Sequence, residues 1–406
     1  MQSVSKLHWF NPTCEMAVAN GQVAWQPGKV LQQFERDLAF LPLLFADKND
    51  VVVVPHRPSA AFLQIINWLP GANATFALAD LLKDAEYCHG LKVDFLDPWG
   101  WSPAMHLQLR HLKGNTSQLF RKLPICNWEP WHKAFYSRQT ALAILKHIAE
   151  KSHFPFLPSS HLPKVALTIQ DVEQCMTEWK QIVVKSPWSS SGRGVQILRY
   201  EYLNTSNMQW ISAVLKSQGY IMVEPLLDRV TDFSLHFHVS PETIRYEGVG
   251  RFETNSNGQY EANILNSDVS DIQDIVPLEQ LSEQLIDAYQ FFDIPKKYAG
   301  YAGVDLMVIC FDGRYLIQPC VEVNWRYNMG IVALRLQRYL ANGAKGKFAV
   351  HFSPDQPFGD FHRQMTTEYP LEFKNGKPSR GYFPLSDPAK AQAGAYVLID
   401  DRAKQE

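Results

Sequence analysis

The sequence predicts a protein of mixed α/β and α+β class, in which an N-terminal open α/β domain precedes a two-lobed α+β region and a C-terminal extension. Its 406 residues are too many for one ordinary hydrophobic core, so two or three domains are expected. Val51–Val54 is an unbroken β-branched run, which is typical of a parallel strand buried on both faces. Strand patterns dominate from Ile182 onward, with helical spacing between them at 276–292 and 331–340.

Composition and charge exclude several classes of protein. Lys+Arg 39 against Asp+Glu 41 leaves a formal charge of −2, so no basic excess is available to neutralise nucleic-acid phosphates. The six cysteines are scattered without a CxxC pair, which favours reduced thiols over a disulfide framework or a zinc site. The sequence shows neither a signal-peptide pattern nor an apolar run of ~18–20 residues. We therefore expect a cytoplasmic protein with small-molecule partners, no nucleic-acid or membrane partner, and an oligomeric state left open.

Three strands, each followed by a loop, are predicted within residues 1–135. Open α/β sheets bind ligands at the loops that follow the carboxyl ends of their strands. Two pairs of residues in these loops are candidates for holding an acceptor carboxylate: Asn11 with Glu15, and His56 with Arg57.

A β-hairpin is predicted at Gly300–Arg326, where two apolar runs flank Asp312-Gly313. This dipeptide favours a two-residue turn because both central positions need positive φ. With that turn as the loop, Asp305 is predicted to lie opposite Cys320. Pro319 is a candidate for a bulge that changes this pairing.

Oxygen-bearing side chains are expected to meet on one face of this hairpin. Because side chains alternate along a strand, Glu322 and Asn324 share a face with Asp305. Buried carboxylates repel one another, so a cation should join them, and Mg²⁺ shared with nucleotide phosphates is the commonest case. The alternative is an exposed edge strand with scattered acids.

A second candidate segment, Ile182–Leu198, places Lys185 on a strand that leads into a Ser/Gly-rich loop and another strand. Backbone N–H groups of such a loop can approach phosphate oxygens closely, and Lys185 adds a positive charge. Because a strand follows, neither a P-loop nor a dinucleotide fingerprint applies. A plain flexible hairpin is the alternative. The loop consists of Ser189, Ser190, Ser191, Gly192, Arg193 and Gly194.

A third segment, YIMVEPLLDRVTDFSLHFHV, contains an apolar strand that ends at Glu224. Such a strand end, followed by Leu226 and Leu227, is suited to presenting backbone groups to an adenine edge in an apolar slot. Asp232 follows at a spacing suitable for accepting ribose hydroxyls. A simple surface turn is the alternative.

From about Phe135 to Leu340, the chain resembles the ATP-grasp superfamily. The resemblance rests on the order of five elements: the strand with Lys185, the Ser/Gly loop, the adenine hinge, an Asp and the Glu-x-Asn motif. EVNWR, with Arg326 two residues after Asn324, is the most specific element. The resemblance implies a nucleotide bound between two α+β lobes. It divides the chain into a pre-ATP-grasp-like domain (1–135), a small lobe (136–222), a large lobe with the metal site (223–350) and a C-terminal extension (351–406), expected to be a wrap or lid without helical period.

The resemblance also implies ATP and Mg²⁺, with Mn²⁺ as a possible substitute, as cofactors. The residues it assigns to the nucleotide are Arg138 and Lys185 at the phosphates, Ser189–Gly194 as a mobile lid, Glu224, Leu226 and Leu227 around adenine, and Asp232 at ribose. The residues it assigns to the metal are Asp305, Glu322 and Asn324. Arg326 corresponds to an anion-stabilising arginine.

The sequence departs from the family pattern at two positions. Gly303 stands where some peptide ligases of this family carry arginine, and Asn263 replaces a lysine that is often found in the preceding strand. Arg251 or Arg326 can supply the missing charge, so the catalytic candidates are these two arginines together with Lys185.

The implied reaction is ATP-dependent ligation of a carboxylate to an amine or thiol through an acyl phosphate, with ADP and phosphate as products. Two alternatives stay open at this point. One is a catalytically lapsed module that binds Mg·ATP, and the other is a small-molecule kinase.

Overall fold

The computed structural model describes residues 4–151, 154–189, 194–199, 202–254 and 260–400. Its strands are β1 (Lys6–Trp9), β2 (Val51–Val54), β3 (Thr75–Leu78), β4 (Phe95–Pro98), β5 (Lys164–Ala166), β6 (Ile182–Lys185), β7 (Val195–Leu198), β8 (Ile221–Pro225), β9 (Asp228–Val239), β10 (Ile244–Thr254), β11 (Tyr260–Leu265), β12 (Gly300–Phe311), β13 (Arg314–Asn324), β14 (Gly346–His351), β15 (Glu372–Lys374), β16 (Lys377–Pro384) and β17 (Gly394–Ile399). Its α-helices are α1 (Cys14–Asn20), α2 (Lys29–Asp37), α3 (Ala60–Ile65), α4 (Ala85–Gly90), α5 (Pro103–Gln108), α6 (Gln118–Arg121), α7 (Pro130–Phe135), α8 (Arg138–Lys151), α9 (Ile169–Trp179), α10 (Thr205–Gln218), α11 (Ser270–Gln273), α12 (Leu278–Phe291), α13 (Met329–Gln337) and α14 (Phe358–Glu368).

The N-terminal sheet is parallel and has the strand order β3-β2-β1-β4. All four residues of β2 are buried, as the β-branched run predicts for a strand covered on both faces. Because β1 pairs with β2 on one side and with β4 on the other, the direction of winding reverses between β1 and β4. In open α/β sheets a crevice forms at such a reversal, at the carboxyl ends of the strands.

The small lobe is an antiparallel sheet of order β5-β8-β6-β7, on which α9 and α10 pack. Both helices begin with reciprocal side-chain caps: Thr168 with Asp171, and Asn204 with Asn207. Helix α10 ends at Gly219, whose φ of 86° is the left-handed conformation that glycine adopts most readily. The lobe therefore has its own core and local signals for its helices.

The large lobe is built on a nine-stranded sheet of order β13-β12-β9-β10-β11-β14-β17-β16-β15. Apolar residues of β9 and β12, such as Phe233 and Leu306, share one buried cluster with residues of α8 and α12. Helix α13 belongs to a second cluster, which joins the large sheet to the N-terminal domain. The acidic hairpin, β12 with β13, forms one edge of this sheet.

The C-terminal residues differ from the expected wrap or lid. They contain α14 and three strands, and β17 pairs with β14 over its whole length as part of the large sheet. Ala395, Val397 and Ile399 alternate into the second buried cluster, which explains why this segment forms a strand within the sheet. The sequence did not predict strand β17 because its alternate residues are buried against a distant strand, and a search for helical period does not detect that pattern.

Two further expectations concern cysteines and membranes. All six cysteines are free thiols, and five of them are buried. Within the described ranges, no helix combines the length and the apolar character that crossing a bilayer requires.

Candidate active site between the two lobes

The acidic hairpin has a different register from the one predicted. Met307 pairs with Gln318, as the Asp312-Gly313 turn requires, but Asp305 pairs with Glu322 and not with Cys320. A bulge lies between these two pairs, where three residues of β13 face one residue of β12. Cys320 lies in this bulge, and its Sγ donates to the carbonyl oxygen of Ala141 at 3.5 Å.

The bulge adds two residues to β13, so it preserves which residues share a face. Asp305 and Glu322 are directly opposite one another, and Asn324 lies opposite Gly303 on the same face. Asn324 Nδ2 donates to Asp305 Oδ2 at 3.0 Å. Burial raises the pKa of Asp305 to about 7, and the Glu322 carboxylate adds to this rise. The two acids thus form a site that a cation would stabilise.

Arg138, the first residue of α8, joins this acidic face to the small lobe. Its Nη1 lies 2.8 Å from Glu322 Oε2. Its other nitrogens donate to the small lobe: Nε to the Ser186 carbonyl oxygen at 3.1 Å and Nη2 to Ser189 Oγ at 3.0 Å. A cleft of about 10 Å³ lies between these residues and Glu15, which is space for about one water molecule.

Lys185 lies nearby at the end of β6, where it is buried and forms an ion pair with Glu224 of β8. Beyond this strand, the loop leads to Gly194. The carbonyl oxygen of Gly194 accepts from the Ser186 N–H at 2.8 Å. A Cβ on Gly194 would lie 2.0 Å from Ser186 Oγ, so this close approach requires glycine. The other predicted lid residues, Ser190, Ser191, Gly192 and Arg193, lie outside the described residues.

Of the predicted adenine and ribose residues, Glu224 lies within β8, and Leu226, Leu227 and Asp232 follow it. The Leu226 N–H donates to the carbonyl oxygen of Gln181 at 2.9 Å, and Leu227 packs against a small apolar cluster that includes Leu157 and Ile309. The two residues therefore occupy different environments, one at the end of the small-lobe sheet and one against the large lobe.

Asp232, near the start of β9, is partly buried, and its pKa is raised by that burial. Its Oδ2 accepts from Arg229 Nη1 and from Thr254 Oγ1, both at 3.0 Å. Asp232 is therefore held in a defined position on the same face of the sheet as Asp305, because Met307 is its cross-strand partner.

The two candidate arginines lie in different places. Arg326 Nη2 donates to Asn324 Oδ1 at 2.8 Å, so Arg326 is in contact with the acidic face. Arg251 instead pairs with Phe233 across the sheet and forms an ion pair with Asp271 of α11. Ser234 pairs with Asp305, so the side chains of these two residues lie on the same face of the sheet. Phe233 precedes Ser234 in β9, so Phe233 and its partner Arg251 lie on the opposite face.

Glu15 of α1 contacts the acidic hairpin, a connection that the sequence did not indicate. It was only one of several loop residues that could hold an acceptor carboxylate. In the structure its two carboxylate oxygens lie 3.1 Å from Nε and Nη2 of Arg326. The available signal was its position after β1, at a carboxyl end of the N-terminal sheet.

No family model and no curated protein matches this chain. Solved structures match over almost all of it. A biotin carboxylase from Campylobacter jejuni, in a β,γ-ATP complex, has a TM-score of 0.54 and 12% identity, over 98% of this chain and 87% of that chain. The biotin carboxylase domain of Hydrogenobacter thermophilus 2-oxoglutarate carboxylase, with MgADP, ADP and bicarbonate, has a TM-score of 0.52 and 9% identity, over 97% and 85%.

An N5-carboxyaminoimidazole synthetase from Staphylococcus aureus has a TM-score of 0.50 and 11% identity, over 100% of this chain and 95% of that chain. At these identities the similarity concerns the fold. The matches extend across the N-terminal sheet, the small lobe and the large sheet, and they are ATP-grasp structures. By its fold, this chain is similar to these ATP-grasp structures.

Proposed function

We propose that this protein is an ATP-dependent ligase that joins a carboxylate to an amine or thiol. The observation that carries the proposal is the facing pair Asp305 and Glu322, with Arg138 and Arg326 in contact with the same acidic face. This combination concentrates oxygen ligands and positive charges where the two lobes meet. Such a site suits phosphoryl transfer, which depends mainly on positioning and charge neutralisation.

The donor set fits a magnesium ion. Asp305 and Glu322 supply carboxylate oxygens and Asn324 an amide oxygen, which are hard ligands of the type that Mg²⁺ prefers. Among the described residues no group of three His, Cys, Asp or Glu side chains is arranged to hold a metal alone. This agrees with an ion that takes its remaining ligands from phosphates and water. When bound, Mg²⁺ or Mn²⁺ would neutralise phosphate charge.

We assign the nucleotide to the cleft between the lobes. Lys185 and Arg138 would contact its phosphates, and the Ser189–Gly194 loop would cover them. Glu224, with Leu226 and Leu227, would surround adenine, and Asp232 would accept the ribose hydroxyls. Support comes from the buried Lys185–Glu224 pair and from Arg138, which contacts both Ser189 and Glu322.

The proposed reaction has two steps. A substrate carboxylate oxygen attacks the γ-phosphorus, and the bond from that phosphorus to the oxygen of ADP breaks. The amine or thiol then attacks the acyl carbon, phosphate leaves, and a proton is released. Arg326 would donate to the oxyanion of the second step, while closure of the loop excludes water from the acyl phosphate.

The test is turnover with pools of small molecules. Purified protein is incubated with Mg·ATP, mixed carboxylates and mixed amines, and ADP, phosphate and any condensed product are measured by mass spectrometry. We expect a condensed product that depends on both pools, and its loss in Glu322→Ala but not in the exposed-helix control Glu173→Ala. A stable phosphorylated product would indicate a kinase instead. Thermal stabilisation by Mg·ATP without turnover would indicate a lapsed module, and AMP release would exclude the proposed chemistry.

A further inference from the structure

A cavity of about 200 Å³ lies in the N-terminal domain, away from the acidic hairpin. Its lining includes Trp9 of β1, Val54 of β2, and Ser102 and Met105, which follow β4. It therefore occupies the crevice at the carboxyl ends of these strands, where the sheet reverses its winding. A single water molecule needs only about 10–15 Å³ of such space, so the cavity has room for a small metabolite.

One carboxylate in the lining has an oxygen available to a ligand. Glu35 of α2 accepts from Thr13 through one oxygen, Oε1, at 2.6 Å from Oγ1 and 3.3 Å from the backbone N. Within the part of the chain that the structure describes, no residue bonds to its other oxygen, Oε2. Burial raises the pKa of Glu35, which means that a positively charged partner would stabilise its ionised form. A hydrogen-bond donor with positive charge is the complementary group.

The rest of the lining is mainly aromatic, aliphatic and amide in character. Trp9 and Trp25 supply large apolar surfaces, and Asn11 and Gln108 supply neutral polar groups. Arg36 also reaches the lining, and this residue is exposed to solvent. Pockets of this composition bind an apolar body and orient it through a few polar contacts.

Helix α1 separates this cavity from the nucleotide cleft. Thr13, Cys14 and Ala17 face the cavity, whereas Glu15 and Val18 line the small cleft beside Glu322. Cys14 and Ala17 are three residues apart, as are Glu15 and Val18, so each pair lies on one face of α1. The cavity is therefore a separate space whose wall is the element that carries Glu15.

We propose that this cavity is a second ligand site, distinct from the nucleotide cleft, and that it binds a small metabolite with a primary amino group on an apolar body. The amino group donates to Glu35 Oε2, and the apolar body lies against Trp9 and Trp25. This inference does not depend on ligase activity, because the site shares no residue with the acidic hairpin.

The test is calorimetric titration of the full chain, without nucleotide, with three amines: 2-phenylethylamine, tryptamine and 3-methylbutylamine. The alcohol and the carboxylic acid of each apolar body are the matched controls. We expect at least one amine to bind ten or more times more tightly than its alcohol and its acid. Glu35→Gln should weaken that binding at least tenfold, whereas Glu173→Gln on the surface of α9 should leave it unchanged.

A second variant guards against misfolding of Glu35→Gln. Ala104→Leu, in the cavity lining, fills space without changing charge and should also weaken amine binding at least tenfold. Thermal melting establishes that each variant is folded. No binding of any amine, tighter binding of an acid, or full affinity in folded Glu35→Gln or Ala104→Leu would overturn the proposal. Retained amine binding in Glu322→Ala is expected whether or not the ligase proposal holds.

Discussion

Arg326 and Glu15 form a bidentate ion pair that joins the end of the acidic hairpin to the first helix of the N-terminal domain. Nε and Nη2 of Arg326 each lie 3.1 Å from one carboxylate oxygen of Glu15, and the side chains of Arg326 and Glu15 are 14% and 13% exposed. The pair connects residues 311 positions apart in the chain. It aligns the guanidinium that also bonds Asn324, so the N-terminal domain helps to position the proposed oxyanion donor.

Removing the charge of Glu15 should destabilise the protein. In Glu15→Gln the Arg326 guanidinium loses its buried counter-ion, and breaking a buried ion pair costs about 3 kcal/mol. Urea denaturation, followed by far-UV circular dichroism, measures the change in the free energy of unfolding. Glu283→Gln, on the exposed side of α12, is the control and should change this free energy by less than about 0.5 kcal/mol. Equal stability of Glu15→Gln and wild type would contradict a structural role for the pair.

The two arginines should differ sharply in their effect on activity. Arg326→Ala removes the donor that contacts the acidic face, and we expect a loss of ~10²–10³ in kcat. Arg251→Ala should retain kcat within about twofold, because Arg251 lies on the opposite face and pairs with Asp271. Steady-state kinetics on both variants measures this difference. A larger loss in Arg251→Ala than in Arg326→Ala would reverse the assignment.

Stability without metal should rise as the pH falls through about 7. The pKa of Asp305 is raised to about 7 in the folded protein, against about 3.9 when unfolded, so the folded state binds the extra proton between these values. The full shift corresponds to ~4 kcal/mol, which we reduce to about 2 kcal/mol because the side chain is partly in contact with solvent.

The measurement for Asp305 is urea denaturation between pH 5 and pH 8, with Asp305→Asn as the comparison. The wild type should lose about 2 kcal/mol more than the variant over this range, since the amide does not titrate. Mg²⁺ with nucleotide should reduce that difference. Parallel pH profiles for the two proteins would show that Asp305 is ionised throughout.

Arg138 should be important for nucleotide affinity. Arg138→Lys keeps the positive charge, but its donors all lie on one side-chain nitrogen. It therefore cannot reach Ser186, Ser189 and Glu322 at once as the planar guanidinium does. One lost charge-assisted hydrogen bond costs about 1.5–3 kcal/mol, so we expect Mg·ATP affinity to fall at least tenfold. Calorimetric titration with a non-hydrolysable ATP analogue measures it, and Lys146→Arg on α8 is the control. Unchanged affinity in Arg138→Lys would remove this residue from the phosphate site.

Local patterns predicted much of the fold because they depend on nearby residues. The β-branched Val51–Val54 forms the buried strand β2. The Asp312-Gly313 turn sets the register of the neighbouring part of the hairpin. The place of β17 in the large sheet was not predicted because its partner β14 is distant in the chain, whereas β15 and β16 form a local hairpin.

The sequence by itself determined which oxygen-bearing side chains share one face of the hairpin, because alternation along a strand needs only residue spacing. Only the tertiary structure decided that Glu322, and not Cys320, lies opposite Asp305, since a bulge shifts the pairing by two residues without changing the face. It also decided that Glu15 holds Arg326 and that Arg251 lies on the other side of the sheet. Those relationships depend on how distant strands and domains pack together, and no local spacing encodes them.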